Sequence, residues 1–331
     1  MLRSHIFNPT YGSVDLSFRT PGTDNFVFKS AEEWYGVYFQ DQLKFFDGQV
    51  QVLGGGRYDW TKYGTLCCNI SVADNDVDNT ISEKSFSPRV GVVYHPWQWL
   101  SLYGNYVESF GTNNGRSATG EPFDPEGATQ YEAGIKTELW EGRFSSTLAF
   151  FHLTKENILT ADITTLDRFD SIAIGEARSQ GIELDLSGQL TDSLSLIASY
   201  AYTDTRITQD DRGNEGHRLP NVPDHSGSAW LKYELLESPV RGLSLGTGVF
   251  LASQREGDNE NSFELPGYVR WDAMATYRFN VGKSRLTAQV NVNNILDKEY
   301  FEHSDTFNGI PRFNIFPAEP LTVLGSIRVE F

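Results

Sequence analysis

Segments with a two-residue hydrophobic period run through most of this 331-residue chain, and the connections between them switch strictly between short and long. The pattern predicts strands at Glu33–Phe46, Gln49–Trp60, Phe86–His95, Trp97–Glu108, Ala128–Leu139, Gly142–Ile158, Ala177–Leu190, Asp192–Thr205, His225–Leu236, Gly242–Ser253, Gly267–Phe279, Ser284–Leu296 and Pro320–Phe331. A further candidate at Ser13–Thr20 brings the count to about fourteen. Asp47-Gly48, Pro96, Trp140-Glu141, Thr191, 237–241 and 280–283 are short links; 61–85, 109–127, 159–176, 206–224, 254–266 and 297–319 are long ones. Such parity sends every long loop to one end of an up-and-down meander. A Greek-key sandwich has no reason to keep it.

The expected fold is therefore all-β: a transmembrane antiparallel up-and-down β-barrel. Short turns would face the periplasm and long loops the exterior of a bacterial outer membrane. The last strand, Leu321 to Phe331, puts Leu321, Val323, Gly325, Ile327, Val329 and Phe331 on one face. Thr322, Ser326, Arg328 and Glu330 lie on the other, where Leu324 is the misfit. Its end at Phe331 falls on the periplasmic side. Aromatic residues make up 13% of the chain, which suits girdles at the two membrane interfaces. No stretch approaches the roughly 18 consecutive apolar residues that a spanning helix needs.

One face of the strands collects the charges: Lys44, Arg57, Arg89, Glu132, Lys136, Glu138, Glu183, Asp185, Lys232, Glu234, Arg270, Asp272, Arg278 and Arg328. A cation near the bilayer midplane costs about 2–4 kcal/mol, so this face must look into the lumen. An ion-paired inner wall and a surface that holds a removable plug both fit it.

The net charge of −17 argues against nucleic acid as a partner. Catalytic signatures are absent, so the chain does not read as an enzyme. Asp224-His225-Ser226 holds triad residue types, but neighbours on a strand point to opposite faces. No histidine is paired at metal-ligand spacing, and no cofactor or metal site is expected. Asp74-Asn75-Asp76-Val77-Asp78-Asn79 resembles the start of a calcium loop, but it lacks the turn glycine and has Ser85 where the bidentate glutamate belongs. The adjacent Cys67 and Cys68 cannot form a disulfide framework.

Several motifs taken in order are more specific. Ser87-Pro88-Arg89-Val90-Gly91, Glu108-Ser109-Phe110-Gly111, the run Pro125–Lys136, Glu176–Asp185, Leu219-Pro220-Asn221-Val222-Pro223-Asp224-His225, Asn293–Tyr300 and the terminal Phe331 together resemble TonB-dependent siderophore receptors. The resemblance implies a barrel of about 22 strands around an N-terminal plug. It also implies ligand capture at extracellular loops and energy-coupled import of ferric siderophores. Residues 33–331 correspond to the C-terminal portion of that barrel, and residues 1–32 form a less defined segment with one candidate strand. The family's plug, TonB box and signal peptide are not found in this sequence, which reads as a fragment. Expected partners are a ferric siderophore as transported ligand, outer-membrane lipid, and the TonB–ExbB–ExbD complex through the N-terminal region not found here. A self-closing channel of about fourteen strands for passive or hydrophobic solutes is the alternative. For a bulky, often anionic chelate, aromatic and basic loop residues are the candidate contacts: Trp60, Tyr63, Phe110, Arg116, Phe307, Arg312 and Phe313.

Overall fold

A computed structural model describes residues 28–67, 80–113, 115, 117–119, 123–162, 164–165, 170–173, 175–210, 213–236, 240–306 and 313–331. The chain opens with β1 (Phe28–Phe45), β2 (Val50–Cys67), β3 (Thr80–Trp97), β4 (Leu100–Gly111), β5 (Glu126–Leu139) and β6 (Phe144–Glu156). A small ladder follows, β7 (Leu159–Ala161) with β8 (Ser171–Ala173), and then β9 (Glu176–Gln189), β10 (Leu194–Gln209), β11 (His225–Glu234) and β12 (Leu243–Ala252). β13 (Arg255–Glu256) pairs with β14 (Glu264–Leu265), and β15 (Tyr268–Val281) and β16 (Ser284–Asn293) return to the wall. The hairpin of β17 (Phe301–Thr306) and β18 (Phe313–Pro317) precedes the last strand, β19 (Thr322–Glu330).

Thirteen of these strands form one antiparallel sheet in strictly sequential order, from β1 to β19; the three small ladders stand outside it. Each sequence-predicted strand from Glu33 onward has its counterpart, and Ser13–Thr20 lies outside the described residues. Among the described residues β1 and β19 are not paired with each other, so the sheet is an open wall rather than a closed cylinder.

The short–long parity holds throughout. The strand ends differ from the sequence pattern at β1–β3, where β1 begins at Phe28 and the paired ladder of β2 and β3 runs up to Gly64 opposite Thr80. Residues 61–67 and 80–85 are strand, not loop. In 61–64 and 80–85 the alternation puts polar residues on both faces, as expected of a wall that continues above an apolar band, and a pattern based on hydrophobicity stops there.

Register sorts the side chains into two faces. Arg89 lies opposite Gly55, which lies opposite Gln40, while Glu132 lies opposite Asn105 and Asp185 opposite Ser199. Ser199, Ser228, Phe250 and Arg270 continue the same row. Because facing residues in an antiparallel pair share a side, the polar set falls on one surface. The other surface carries Val37, Phe39, Val90, Val92, Val269, Trp271, Val323 and Ile327, all exposed. Leu324 sits on the polar face opposite Asn291. The polar face is tied together by Arg270–Asp272 (2.9 Å), Lys232–Glu234 and a Tyr103 hydroxyl that donates to Glu132 (2.7 Å), while Arg178–Asp204 (3.0 Å) and Arg206–Asp204 (3.3 Å) pair on the other side, in line with Ile182 and Tyr202. Charges in the lumen that satisfy one another avoid the cost of isolated burial.

Candidate functional site

Backbone conformation distinguishes the two ends of the wall. At two short turns the left-handed residues are Phe46, Asp47 and Gly48, and Trp140, Glu141 and Gly142. Consecutive positive φ values of this kind match the twist of tight hairpins. At the long-loop end the non-glycine residues with positive φ are Asn157, Asn221, Asn261, Asn294 and Asp297. Asparagine tolerates this region best among side-chain-bearing residues. Here each asparagine also uses its amide to fasten a loop.

Asn221 Nδ2 donates to the Ser304 carbonyl (2.9 Å), and its Oδ1 accepts from the Ser304 amide (2.8 Å). Asn261 forms a reciprocal pair with the backbone of Arg218 (2.8 and 3.0 Å). Asn294 donates to the carbonyls of Lys298 and Glu319, while its own amide donates to Asp272 of β15 (2.8 Å). Asn157 donates to the Pro125 carbonyl (2.8 Å). The connections 210–224, 253–267 and 294–321 are thereby joined to one another, and Asn294 anchors the last of them to the wall.

Arg255 completes the joint. It is 4% exposed and forks from Nη2 to the carbonyls of Phe301 (2.6 Å) and Glu302 (2.8 Å) at the base of the β17–β18 hairpin. Its guanidinium also lies over the Tyr268 ring at 5.7 Å, and Tyr268 stacks on Tyr300 at 4.2 Å. Burial lowers the Arg255 pKa from the ordinary arginine value. Arg218 shifts upward, mainly through its hydrogen bond to Asp224 (2.5 Å). Below the joint, on the polar face, a cleft of about 320 Å³ is lined by Ser199, Asn221, Ser226, Phe250, Arg255, Tyr268 and Glu302 among others. Arg270 lies 4.4 Å from the Phe250 ring centroid. On the hairpin itself His303 stacks on Phe316 at 4.2 Å with the rings 13° apart, and both are exposed.

On the opposite side of the rim, Tyr63 is 1% exposed and donates to the Phe123 carbonyl at 3.5 Å. Asn113 forks to the carbonyls of Asp124 and Asn157 (2.6 and 2.7 Å). A second cleft of about 330 Å³ there is lined by Lys84, Glu108, Phe110, Glu126, Thr154 and Glu156 with their neighbours.

The structure separates the sequence-predicted contacts. Trp60 lies against Tyr58 (4.7 Å) on the apolar outer face, 40% exposed, while Tyr63, three residues on, faces the lumen side and is buried. Phe110 packs edge-on against Trp34 at 5.7 Å and lines the second cleft. Arg116, Phe307 and Arg312 lie outside the described residues; Phe313 opens β18, but its side chain is not described. The calcium-like segment 74–79 and Cys68 are also outside, and Cys67 contributes backbone to β2. Asp224 pairs with Arg218, and His225 bonds Tyr200 (2.8 Å), so the two point to different partners. Sequence reasoning missed Asn221, Arg255, His303, Ser304 and Phe316. The one available signal was the recurrence of asparagine within long loops.

A sequential antiparallel wall with one charged face, one apolar face and all its elaborate connections at one end agrees with what the motifs imply. The family described as TonB dependent receptor-like, beta-barrel, matches residues 3–295. The chain belongs to the TonB-dependent receptor family. It is 39% identical over 329 residues to the metal-pseudopaline receptor CntO of Pseudomonas aeruginosa, covering 98% of this chain and 44% of that protein. It is 32% identical over 298 residues to the ferrichrome outer membrane transporter/phage receptor of Escherichia coli, covering 89% of this chain and 39% of that protein. Among solved structures, the ferric preacinetobactin receptor BauA of Acinetobacter baumannii superimposes with a TM-score of 0.75 at 24% identity, over 91% of this chain and 43% of BauA; that likeness bears on the fold. The chain thus spans less than half the length of the relatives it matches. Members of the TonB-dependent family are outer-membrane β-barrel receptors and transporters rather than enzymes.

Proposed function

We propose that this chain is the wall and ligand-facing rim of an outer-membrane receptor that captures a ferric siderophore for energy-coupled import. In this reading the long loops are extracellular and Phe331 is periplasmic. The observation that carries it is the rim built by the three joined loops. It exposes the His303–Phe316 stack, with the partly exposed Tyr268 behind it, above a charge-lined wall where Arg270 lies over Phe250. Aromatic faces and arginines suit a bulky chelate with anionic oxygens. Tyr63 and Phe110 belong to the opposite side of the same mouth, and Arg116, Phe307, Arg312 and Phe313 are proposed contacts on their chemistry. Energy coupling would come from the TonB–ExbB–ExbD complex acting through the part of the family architecture not found in this sequence.

A second reading has its own support. The relative at 39% identity is named for a metal complex of pseudopaline rather than for a ferric siderophore, so the cargo could be another metal chelate of the same general chemistry. The test is uptake by cells that express the full receptor gene in a host lacking its own receptors. Ferrichrome and ferrioxamine B carrying labelled iron, and pseudopaline carrying labelled zinc, serve as probes. Accumulation of iron from a ferric chelate supports the first reading. Accumulation only from zinc-pseudopaline replaces it with the second, and no uptake of any probe overturns both.

Orientation has a separate test. Glu260 and Glu141 are exposed at opposite ends of the wall. With Cys67 and Cys68 replaced by alanine, a membrane-impermeant maleimide should label the Glu260→Cys variant in intact cells and spare Glu141→Cys. The reverse pattern would overturn the orientation.

A further inference from the structure

We propose that Asn221 and Arg255 are positioning residues for ligand capture: they hold the β17–β18 hairpin, and with it the exposed His303–Phe316 stack, at a fixed place on the rim. The inference rests on the reading of the rim as a chelate-binding mouth. The hairpin is not part of the wall; it pairs only with itself among the described strands. A two-stranded hairpin alone is marginally stable in water, so its placement must come from what grips it. The grip comes from two other connections. From 210–224, Asn221 makes a two-way amide pair with the Ser304 backbone (2.9 and 2.8 Å). From 253–267, Arg255 forks to the carbonyls of Phe301 and Glu302, and the Gly257 carbonyl accepts from Ser304 Oγ (2.6 Å). Ser304 is 4% exposed, so these bonds are shielded from competing water.

The stack lies on the same short ladder as the gripped residues. His303 is flanked by Glu302 and Ser304 and lies opposite Phe316. A ligand that rests on the stack would meet a surface whose ordering cost has already been met by folding. Pre-organisation of that kind raises affinity without any added contact. Neither Asn221 nor Arg255 needs to touch the ligand for this effect.

The test uses the full-length receptor with Asn221→Ala and Arg255→Lys, beside the contact variant Phe316→Ala. Two readouts are combined: hydrogen exchange of hairpin amides in 301–306 and 313–317, and the KM and maximal rate of uptake of whichever chelate probe the wild-type receptor transports. Asn221→Ala and Arg255→Lys should speed hairpin exchange and raise KM by roughly tenfold, a loss on the order expected when a pre-ordered surface becomes mobile. Their maximal rate and surface abundance should stay near wild type. Phe316→Ala should raise KM while hairpin exchange stays slow. Unchanged hairpin exchange in Asn221→Ala and Arg255→Lys would overturn the positioning role whatever the ligand is. Faster exchange with an unchanged KM would overturn the link to capture. If no probe is transported, the mouth reading fails by itself and the exchange result still decides the grip.

Discussion

The two sides of the rim are built on different principles. On the side of β10–β19, three long connections are joined to one another through Asn221, Asn261, Arg255 and Ser304, and most of the partners are backbone groups far away in sequence. On the side of β2–β6, the described parts of the connections are held by a ring that rises from a wall strand, Tyr63, by the fork of Asn113 and by the bond from Asn157 to the Pro125 carbonyl. The first side is a block of loops that share their fastenings. On the second, Asn113 and Asn157 join two neighbouring connections to each other, and Tyr63 ties them to a wall strand. Among the described residues the first side has more cross-links between connections, and in local-stability terms the second, with fewer, opens more readily.

This contrast can be broken by experiment. The largest effect should come from Tyr63→Ala. It removes a ring that is 1% exposed and should cost about 3 kcal/mol or more of local stability, the range for truncating a buried aromatic. Hydrogen exchange should accelerate in the described amides of 112–125 and remain unchanged in the β17–β18 hairpin. Acceleration on both sides would mean that the halves are coupled after all.

A smaller loss should follow Asn261→Ala, about 2 kcal/mol, from two hydrogen bonds to the Arg218 backbone and from an alanine forced to a φ of 51°. Combined with Asn221→Ala, it should show a coupling of at least about 0.5 kcal/mol, because both residues fasten the same block. Combined with Tyr63→Ala, it should be additive within about 0.5 kcal/mol. A double-mutant cycle on exchange free energies measures both, and equal coupling in the two pairs would erase the contrast.

The smallest effect is expected at Trp60. It stands on the apolar outer face with Tyr58, so Trp60→Ala should leave the KM of chelate uptake within about twofold, while Phe110→Ala, at the second cleft, should raise it. A large KM change for Trp60→Ala would place the ligand path elsewhere.

The difference between Trp60 and Tyr63 also marks how far the sequence could be read. Residues three apart on one strand face opposite ways. The sequence pattern ended β2 at Trp60 and put Tyr63 in a loop, because Thr61-Lys62 breaks the apolar alternation. Pairing decided otherwise. Tyr63 sits opposite Ile81 and Glu32, in a ladder stabilised by backbone hydrogen bonds that carry no hydrophobic signal. The same limit hid Arg255. Its role comes from meeting the carbonyls of residues 301 and 302, and nothing near it in the chain points there.

What the sequence determined by itself was everything that follows from local period and order. The two-residue alternation assigned each strand its polar and apolar side, and the short–long parity set an up-and-down wall with its loops at one end. The ordered motifs named the family. Even Leu324, the one misfit, was visible as such and lies on the polar face opposite Asn291. What tertiary structure alone decided was which loops grip which, and where small residues are obligatory. A Cβ on Gly248 would come within 2.1 Å of the Trp230 ring, a conflict that arises only when β11 and β12 are in register. The physical reason is the same in each case: a pleat fixes the side of a residue from its own position, whereas a partner across the rim is fixed by the register of strands that come together only after the wall has formed.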